Sequence, residues 1–196
     1  MVRSDAEENV QRLLRAARDA VGEEGAGVGV RSIADRAGLG VTTLYRHFRD
    51  KWALIDGVAV HRWSTMRSLA ERPVPPGGSL ARIVLLLDTF TRMVSADDRL
   101  IAGAEWQVGR SPEALLVPAK AGYDAALAGL WARGQGERTV HRRADPRDVM
   151  ELTGCVRDAG RRPAQLRLLV IGLCARPELA ETLVEHVLRL PDPAYL

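Results

Sequence analysis

The chain has 196 residues, of which 46% are hydrophobic and 27% charged, a balance typical of a globular protein that buries a sizeable core. Its 28 basic and 25 acidic residues leave a net charge of only +3, which permits a nucleic-acid partner without requiring one. Residues 1–9 lack the apolar core of a signal peptide, and no apolar stretch reaches the ~18 residues of a transmembrane helix. We therefore expect a cytoplasmic protein with no membrane partner.

Apolar residues recur at helical spacing along almost the whole chain, and alternating stretches of strand length are absent. A capping-box pattern at Ser4 and Glu7 opens the first helix, and the glycine-rich residues 22–29 end it. The proline-rich residues 72–78 and the polar residues 134–144 are predicted loops, and Ser79 is the predicted cap of the helix after the first of them. Helices are predicted at residues 4–21, 31–37, 41–48, 50–69, 79–95, 97–108, 112–133, 146–159, 163–175 and 177–190.

Two of these helices, at residues 31–37 and 41–48, are short and are joined by a glycine-containing turn, which is the arrangement of a helix-turn-helix. The small side chains of Ala34 and Ala37 allow the helices to approach closely. Gly38 is expected to take the left-handed conformation that ends the first of them. The side chains predicted to fill the space between these helices and the first helix of the chain are Leu39, Leu44 and Phe48.

The outward side of the second short helix carries side chains that all form hydrogen bonds, and none of them is acidic. A helix of this length fits the major groove of DNA, where residues near its N-terminus meet base edges. Lys51 follows near the start of the next helix and adds charge to a helix N-terminus that already favours phosphate. The outward residues are Thr42, Thr43, Tyr45, Arg46 and His47.

The chain from Ile33 to Lys51 follows the pattern I-A-x-x-A-G-L-x-x-x-x-L-Y-x-H-F-x-x-K without a gap. This segment resembles the DNA-binding domain of the TetR family of transcriptional regulators. The resemblance implies contacts to the DNA backbone from Tyr45, His47 and Lys51, and contacts to bases from the residues before the Leu-Tyr pair. From the basic and outward residues of this segment together with the resemblance, the expected DNA-binding residues are Arg31, Ser32, Thr42, Thr43, Tyr45, Arg46, His47 and Lys51.

The resemblance also implies an all-α protein with two parts. Residues 1–51 are expected to form a three-helix, helix-turn-helix DNA-binding domain, and residues 52–196 a helical domain for ligand binding and dimerisation. The implied function is that of a transcriptional regulator, by family default a repressor that an unidentified small molecule releases from its operator. A palindromic operator read by single recognition helices requires a two-fold protein, so we expect a homodimer on double-stranded DNA.

Polar and aromatic residues within apolar stretches are the candidates for a ligand site that takes an aromatic or lipophilic molecule. Asp88 interrupts an apolar stripe, although it is equally suited to an ion pair with Arg92, four residues further along the helix. The candidate ligand-binding residues are Asp88, Phe90, Glu105, Trp106, Tyr123 and Trp131.

Dimerisation is expected to use helices near the C-terminus, which in the TetR family build a four-helix bundle between subunits. The nearly unbroken apolar stretch at residues 168–175 favours a helix that is buried on more than one side. Whether residues 177–190 join this bundle or cap it stays open. The candidate interface residues are Val149, Leu152, Val156, Leu166, Leu169, Val170 and Leu173.

Two other classes of function are weaker alternatives. An enzyme is not expected, because the sequence has no serine nucleophile motif and its histidines have no metal-ligand spacing with Cys155 and Cys174. No metal or cofactor is expected, and both cysteines are predicted to be buried free thiols. The spaced glycines at residues 25–29 follow a helix and not a strand, which indicates a loop rather than a dinucleotide site. The alternative to a DNA-binding regulator is a helical adaptor that binds protein.

Overall fold

The fold is known from a computed structural model, which describes residues 2–25, 27–96, 113–156 and 158–189. Within these ranges the chain is helical, with a single isolated bridge between Val140 and Cys174 and no strand, so the predicted all-α class is confirmed. The helices are α1 Val2–Glu24, α2 Val30–Arg36, α3 Val41–His47, α4 Lys51–Glu71, α5 Gly78–Ala96, α6 Glu113–Gly136, α7 Pro146–Gly154, α8 Arg162–Leu173 and α9 Pro177–Leu188.

Several helix ends differ from their predicted positions. α1 continues past Gly22 and ends where Gly25, with a φ of +81°, donates its amide to the Val21 carbonyl at 2.8 Å. α7 stops five residues early, because the Cys155 amide turns back to the Leu152 carbonyl at 3.1 Å in a tighter, three-residue bond. The helix predicted at residues 97–108 lies outside the described residues.

Ser79 was expected to cap α5, but the helix begins at Gly78 and Ser79 lies inside its first turn. The carboxylate of Glu137 accepts the Ser79 backbone amide at 3.0 Å and the Ser79 hydroxyl at 2.7 Å. A carboxylate close to a helix N-terminus satisfies amides that have no partner within the helix. The capping group of α5 therefore comes from a residue 58 positions later in the chain.

The described chain falls into two compact units, and the division lies within α4, between Arg62 and Trp63, and within α6, between Ala119 and Lys120. The first unit contains α1, α2, α3 and the starts of α4 and α6. The second unit contains the end of α4, α5, most of α6 and the helices α7 to α9. The functional boundary between residues 51 and 52 stays a prediction.

The core of the first unit fixes α2 and α3 against α1. Its fully buried residues include the predicted packing residues Ala34 and Leu44, while Leu39 and Phe48 are partly buried at its edge. Because Ala34 has no exposed surface, a larger side chain at this position would displace its neighbours. The fully buried members of this cluster are Leu13, Ala17, Ala20, Ile33, Ala34, Leu44 and Leu54.

The core of the second unit is organised around α5, which packs against α7, α8 and α9. Apolar residues on both sides of α5 are fully buried, as expected of a helix enclosed by neighbours. The fully buried members of this cluster include Leu80, Ile83, Val84, Leu86, Leu87, Leu130, Leu166, Val170, Ala180 and Val184.

The turn between α2 and α3 has the predicted left-handed glycine. Gly38 has a φ of +63°, and the Leu39 amide donates to the Ala34 carbonyl at 2.9 Å. The Arg12 guanidinium also donates to the Gly38 carbonyl at 3.2 Å. An added Cβ at Gly38 would lie 2.7 Å from the same guanidinium.

Gly38→Ala is therefore expected to lower the free energy of unfolding by about 1–2 kcal/mol, the cost of a left-handed conformation for a residue with a Cβ. The measurement is urea denaturation of the full chain, followed by circular dichroism. Gly27→Ala is the control, since Gly27 is exposed, lacks a positive φ and has no atom within 4 Å of an added Cβ. That change should stay within about 0.5 kcal/mol. Equal effects of the two substitutions would contradict the assigned role of Gly38.

Candidate nucleic-acid interface and aromatic cleft

α3 presents the predicted DNA-facing side chains because Leu44 anchors its other side. Leu44 is fully buried, and it is the buried residue of a seven-residue helix. Thr42, Tyr45 and Arg46 are exposed, with Tyr45 at 52% exposure. The partly exposed members of the same helix are Thr43 and His47. An aromatic residue with half of its surface in water and a phenolic hydroxyl is suited to a polar partner outside the chain.

The flanking residues lie at the starts of α2 and α4. Arg31 is exposed and Ser32 is partly exposed in the first turn of α2. The Lys51 ammonium donates to the Val28 carbonyl at 3.1 Å and lies 4.9 Å from the centroid of the Trp52 ring. An ammonium carries three N–H donors, so such a group can bind more than one acceptor at a time.

Asp50, directly before the first residue of α4, caps that helix. Its carboxylate accepts the Ala53 amide at 2.7 Å and the Arg49 guanidinium at 3.1 Å. The carboxylate thus binds groups of its own segment. This pairing reduces the repulsion that an unpaired acid beside α3 would exert on phosphate.

Arg36 is part of the basic segment around the helix-turn-helix, but its charge is matched within the first unit. Its guanidinium donates to Glu23 at 2.8 Å and to Glu24 at 2.5 Å, both near the end of α1. The hydrogen bond to Glu23 is the main reason why the pKa of Arg36 is raised above its ordinary value. Arg36 therefore connects α2 to α1 through two ion pairs.

The second unit contains a cleft of about 630 Å³ with aromatic walls. The Trp63 ring, from α4, lies 5.3 Å from the ring of Tyr123 and 6.0 Å from the ring of Phe90, measured between centroids. Both pairs are tilted, with interplanar angles of 35° and 32°, which is a favourable arrangement for aromatic side chains. Leu127 and Met150 are among the other apolar residues of the lining.

Tyr123 places a polar group within this apolar lining. The side chain is almost fully buried, and its hydroxyl donates to the Met150 sulfur at 3.5 Å. Burial, followed by the charge of Asp124, raises the pKa of this phenol well above its ordinary value. Tyr123 therefore stays protonated at neutral pH and acts as a hydrogen-bond donor.

The cleft contains only part of the predicted ligand site. Phe90 and Tyr123 line it, whereas Trp131 is buried elsewhere and donates its indole N–H to the Ala144 carbonyl at 2.8 Å. Glu105 and Trp106 lie outside the described residues. The sequence interpretation missed Trp63 in α4 and Met150 in α7, which also line the cleft. Nothing in the sequence around either residue indicates that it faces a cleft.

Asp88 does not line the cleft and instead forms a buried cluster with two arginines. Its carboxylate accepts a hydrogen bond from the Arg92 guanidinium at 2.8 Å, which is the ion pair that the sequence analysis gave as the alternative. It also accepts a hydrogen bond from Arg162, at the start of α8. The Asp88 side chain is 4% exposed and those of Arg92 and Arg162 are 19% and 14% exposed. The carboxylate thus connects α5 to α8 through Arg162. A ligand-binding role for Asp88 stays a prediction.

Asp88→Ala should lower the free energy of unfolding by about 3–5 kcal/mol, because it leaves two largely buried guanidinium groups without their carboxylate. Glu71→Ala is the matched control, since it removes an exposed carboxylate that pairs with Arg67 at 2.8 Å across one helical turn. Its expected cost is about 0.5 kcal/mol or less. Urea denaturation of the full-length variants measures both values, and a loss at Asp88 as small as that at Glu71 would refute the cluster's importance.

Three of the predicted interface residues face the core of their own chain. Leu166, Val170 and Leu173 are at most 1% exposed, because this side of α8 packs on α5 and α9. The opposite side of α8 carries the exposed residues Leu168, at 70%, and Ile171, at 39%. Of the remaining predicted residues, Leu152 is exposed, Val149 and Leu169 are partly exposed, and Val156 is buried.

The two cysteines differ in their surroundings. Cys174 is buried, as predicted, and burial is the main cause that raises the pKa of its thiol. Cys155 is exposed at the end of α7, so its predicted burial is wrong. Among the described residues, no group of three or more metal-ligating side chains comes together, and no helix is long and apolar enough to cross a membrane.

A short helix with an exposed polar face, anchored beside a second short helix by a left-handed turn, defines a helix-turn-helix DNA-binding regulator. Residues 13–58 match the family model described as "Bacterial regulatory proteins, tetR family". A TetR transcription regulatory protein from Mycobacterium vanbaalenii has 30% sequence identity and a TM-score of 0.74, with 89% of this chain and 99% of that chain covered. This chain belongs to the tetR family of bacterial transcriptional regulators.

More distant solved structures share the same fold. GusR from Salmonella enterica has 20% identity and a TM-score of 0.60, covering 91% of this chain and 93% of its own. The TetR family protein CprB from S. coelicolor A3(2) has 22% identity and a TM-score of 0.60, covering 92% of this chain and 98% of its own. Comparison with curated protein sequences finds no match.

Proposed function

We propose that this regulator is a homodimeric repressor, with no catalytic role, that a small molecule releases from a palindromic operator. The observation that carries the proposal is the exposed polar face of α3, with Leu44 buried behind it. Release by a small molecule is supported by the aromatic cleft in the second unit. The boundary between a DNA-binding domain at residues 1–51 and a regulatory domain at residues 52–196 is part of this proposal.

The proposed DNA contacts divide into two kinds. Thr42 and Thr43, in the first turn of α3, are placed to meet base edges, where their methyl groups suit thymine. Arg46 is proposed to bind guanine, with its two-pronged guanidinium directed at one base. The remaining residues are proposed to hold the DNA backbone, which positions α3 without reading sequence. They are Arg31, Ser32, Tyr45, His47 and Lys51.

Tyr45→Phe and Arg46→Ala test this assignment. Loss of a hydroxyl that donates to phosphate should weaken operator binding about ten-fold or more, and loss of Arg46 should also relax the preference for one base. Binding is measured on the promoter DNA that flanks the gene, at two salt concentrations, because counterion release makes phosphate contacts salt-dependent. Arg189→Ala, which removes a guanidinium that is 79% exposed at the end of α9, is the matched control.

Steep salt dependence in the wild type, weaker binding in both α3 variants and unchanged binding in the control would support the proposal. Wild-type protein that binds neither this promoter nor any sequence selected from random DNA would overturn it. The alternative function, a helical adaptor for protein, would then be favoured.

The proposed dimer uses the outward side of α8. Ala164, Leu168 and Ile171 recur at intervals of four and three residues and are all exposed, which gives the helix an apolar stripe opposite its buried one. A helix with apolar stripes on both sides is the pattern of a bundle that continues into a second subunit. Of the residues predicted from sequence, Val149, Leu152 and Leu169 retain exposed surface and remain part of the proposed interface.

Leu168→Glu should raise the dimer dissociation constant about ten-fold or more, because it removes a leucine that the proposed dimer would bury and inserts a charge in each subunit. Sedimentation velocity over a range of concentrations measures the dimer fraction. Val74→Glu is the control, since Val74 is 40% exposed in the loop between α4 and α5. A wild-type monomer, or a Leu168→Glu protein that dimerises as well as the Val74→Glu protein, would show that α8 is not the interface.

α4 is the proposed route between ligand and DNA. This single helix contributes Lys51 to the first unit and Trp63 to the second. A ligand held against Trp63 would favour one position of the helix, and operator DNA would favour another. By thermodynamic linkage, the ligand must then weaken DNA binding by the same factor as DNA weakens ligand binding.

A further inference from the structure

The walls of the aromatic cleft suit a flat ring. Trp63, Phe90 and Tyr123 present three aromatic side chains, and the Trp63 ring is tilted against each of the other two. Aromatic rings attract one another at centroid separations of about 4.5–7 Å, beyond the gain from burial alone. Met150 adds a flexible, polarisable thioether that adapts to the edge of a ring.

The hydroxyl of Tyr123 is a hydrogen-bond donor in the cleft wall that has only a weak acceptor. It donates to the Met150 sulfur at 3.5 Å, and a thioether is a weak acceptor. Buried hydroxyl groups in proteins usually find a stronger partner. A ligand oxygen that accepts this hydrogen would replace a weak hydrogen bond with one of ordinary strength. The cleft should therefore bind a ligand more tightly when it carries an acceptor at that point.

The rim of the cleft carries charges that balance. Lys120 and Arg147 are positive, and Asp124 and Glu151 are negative. Lys120 is paired with Asp124 at 2.7 Å, and its ammonium lies 5.6 Å from the centroid of the Trp63 ring. A balanced rim gives no net attraction to an ion, while the apolar walls would strip an ion of its water.

We infer that the cleft binds an uncharged, flat aromatic molecule with an oxygen acceptor, such as an aryl ketone, whose oxygen accepts the hydroxyl hydrogen of Tyr123. This inference rests on the proposed function, since it gives the chemical class of the molecule that acts on the regulator. Aromatic carboxylates and aliphatic chains are the competing occupants, and the walls and rim disfavour both.

Four probes distinguish these classes: 2-acetylnaphthalene, 2-ethylnaphthalene, 2-naphthoate and decanoate. The first two have similar size, and only the ketone carries the acceptor. Calorimetric titration of the full chain should show 2-acetylnaphthalene bound about five-fold to ten-fold more tightly than 2-ethylnaphthalene, the usual gain from one hydrogen bond. Both anions should bind more weakly than the ketone.

Tyr123→Phe should remove the preference for the ketone and leave the binding of 2-ethylnaphthalene unchanged. Thr153→Val is the matched control, because it removes a buried hydroxyl that donates to the Val149 carbonyl in α7 and does not line the cleft. It should keep the preference. Trp63→Leu provides a second check and should weaken both naphthalenes by a similar factor, with the ketone preference retained.

Three results would overturn the inference: an anion bound more tightly than the ketone, no binding of any probe, or a ketone preference that survives in Tyr123→Phe. Operator binding, measured separately, keeps this failure distinct from failure of the proposed function. A protein that binds operator but no probe would refute the ligand class alone. A protein that binds the ketone through Tyr123, but holds operator DNA equally well with and without it, would refute release through this cleft alone.

Discussion

The exposure of the α3 polar face depends on the burial of Leu44. A helix of seven residues is too short to be stable by itself in water, so its conformation has to come from packing. Leu44 supplies that packing within the same buried cluster as Leu13 and Ala17 of α1. Because Leu44 faces inward, its neighbours Tyr45 and Arg46 are directed outward, and the strength of the anchor limits how accurately they are positioned.

In the second unit, the two sides of α8 differ in the same way. α8 places Leu166 and Val170 against the core and leaves Leu168 and Ile171 exposed. The same helix begins with Arg162, whose charge is matched by Asp88 of α5. A buried ion pair contributes little net stability, but its loss is costly, so this contact fixes the orientation of α8 more than it strengthens the fold.

The cleft shows how burial and partners decide what a polar residue does. Asp88 and Tyr123 both interrupt apolar surroundings and were equal candidates for a ligand site. Two arginines satisfy the carboxylate of Asp88, whereas a thioether partly satisfies the hydroxyl of Tyr123. The residue with the weaker partner is the one that gains from a ligand, which is the physical reason for placing recognition at Tyr123.

The sequence alone determined the helical class, the helix-turn-helix and its outward residues, because helical periodicity and the spacing from Ile33 to Lys51 are local properties of the chain. It also predicted the left-handed Gly38, whose conformation depends on neighbours a few residues away. Only the tertiary structure decided which side of α8 is buried and which aromatic residues meet in the cleft. Those outcomes depend on contacts between helices far apart in the chain, and an apolar residue carries no local sign of which neighbour it will meet.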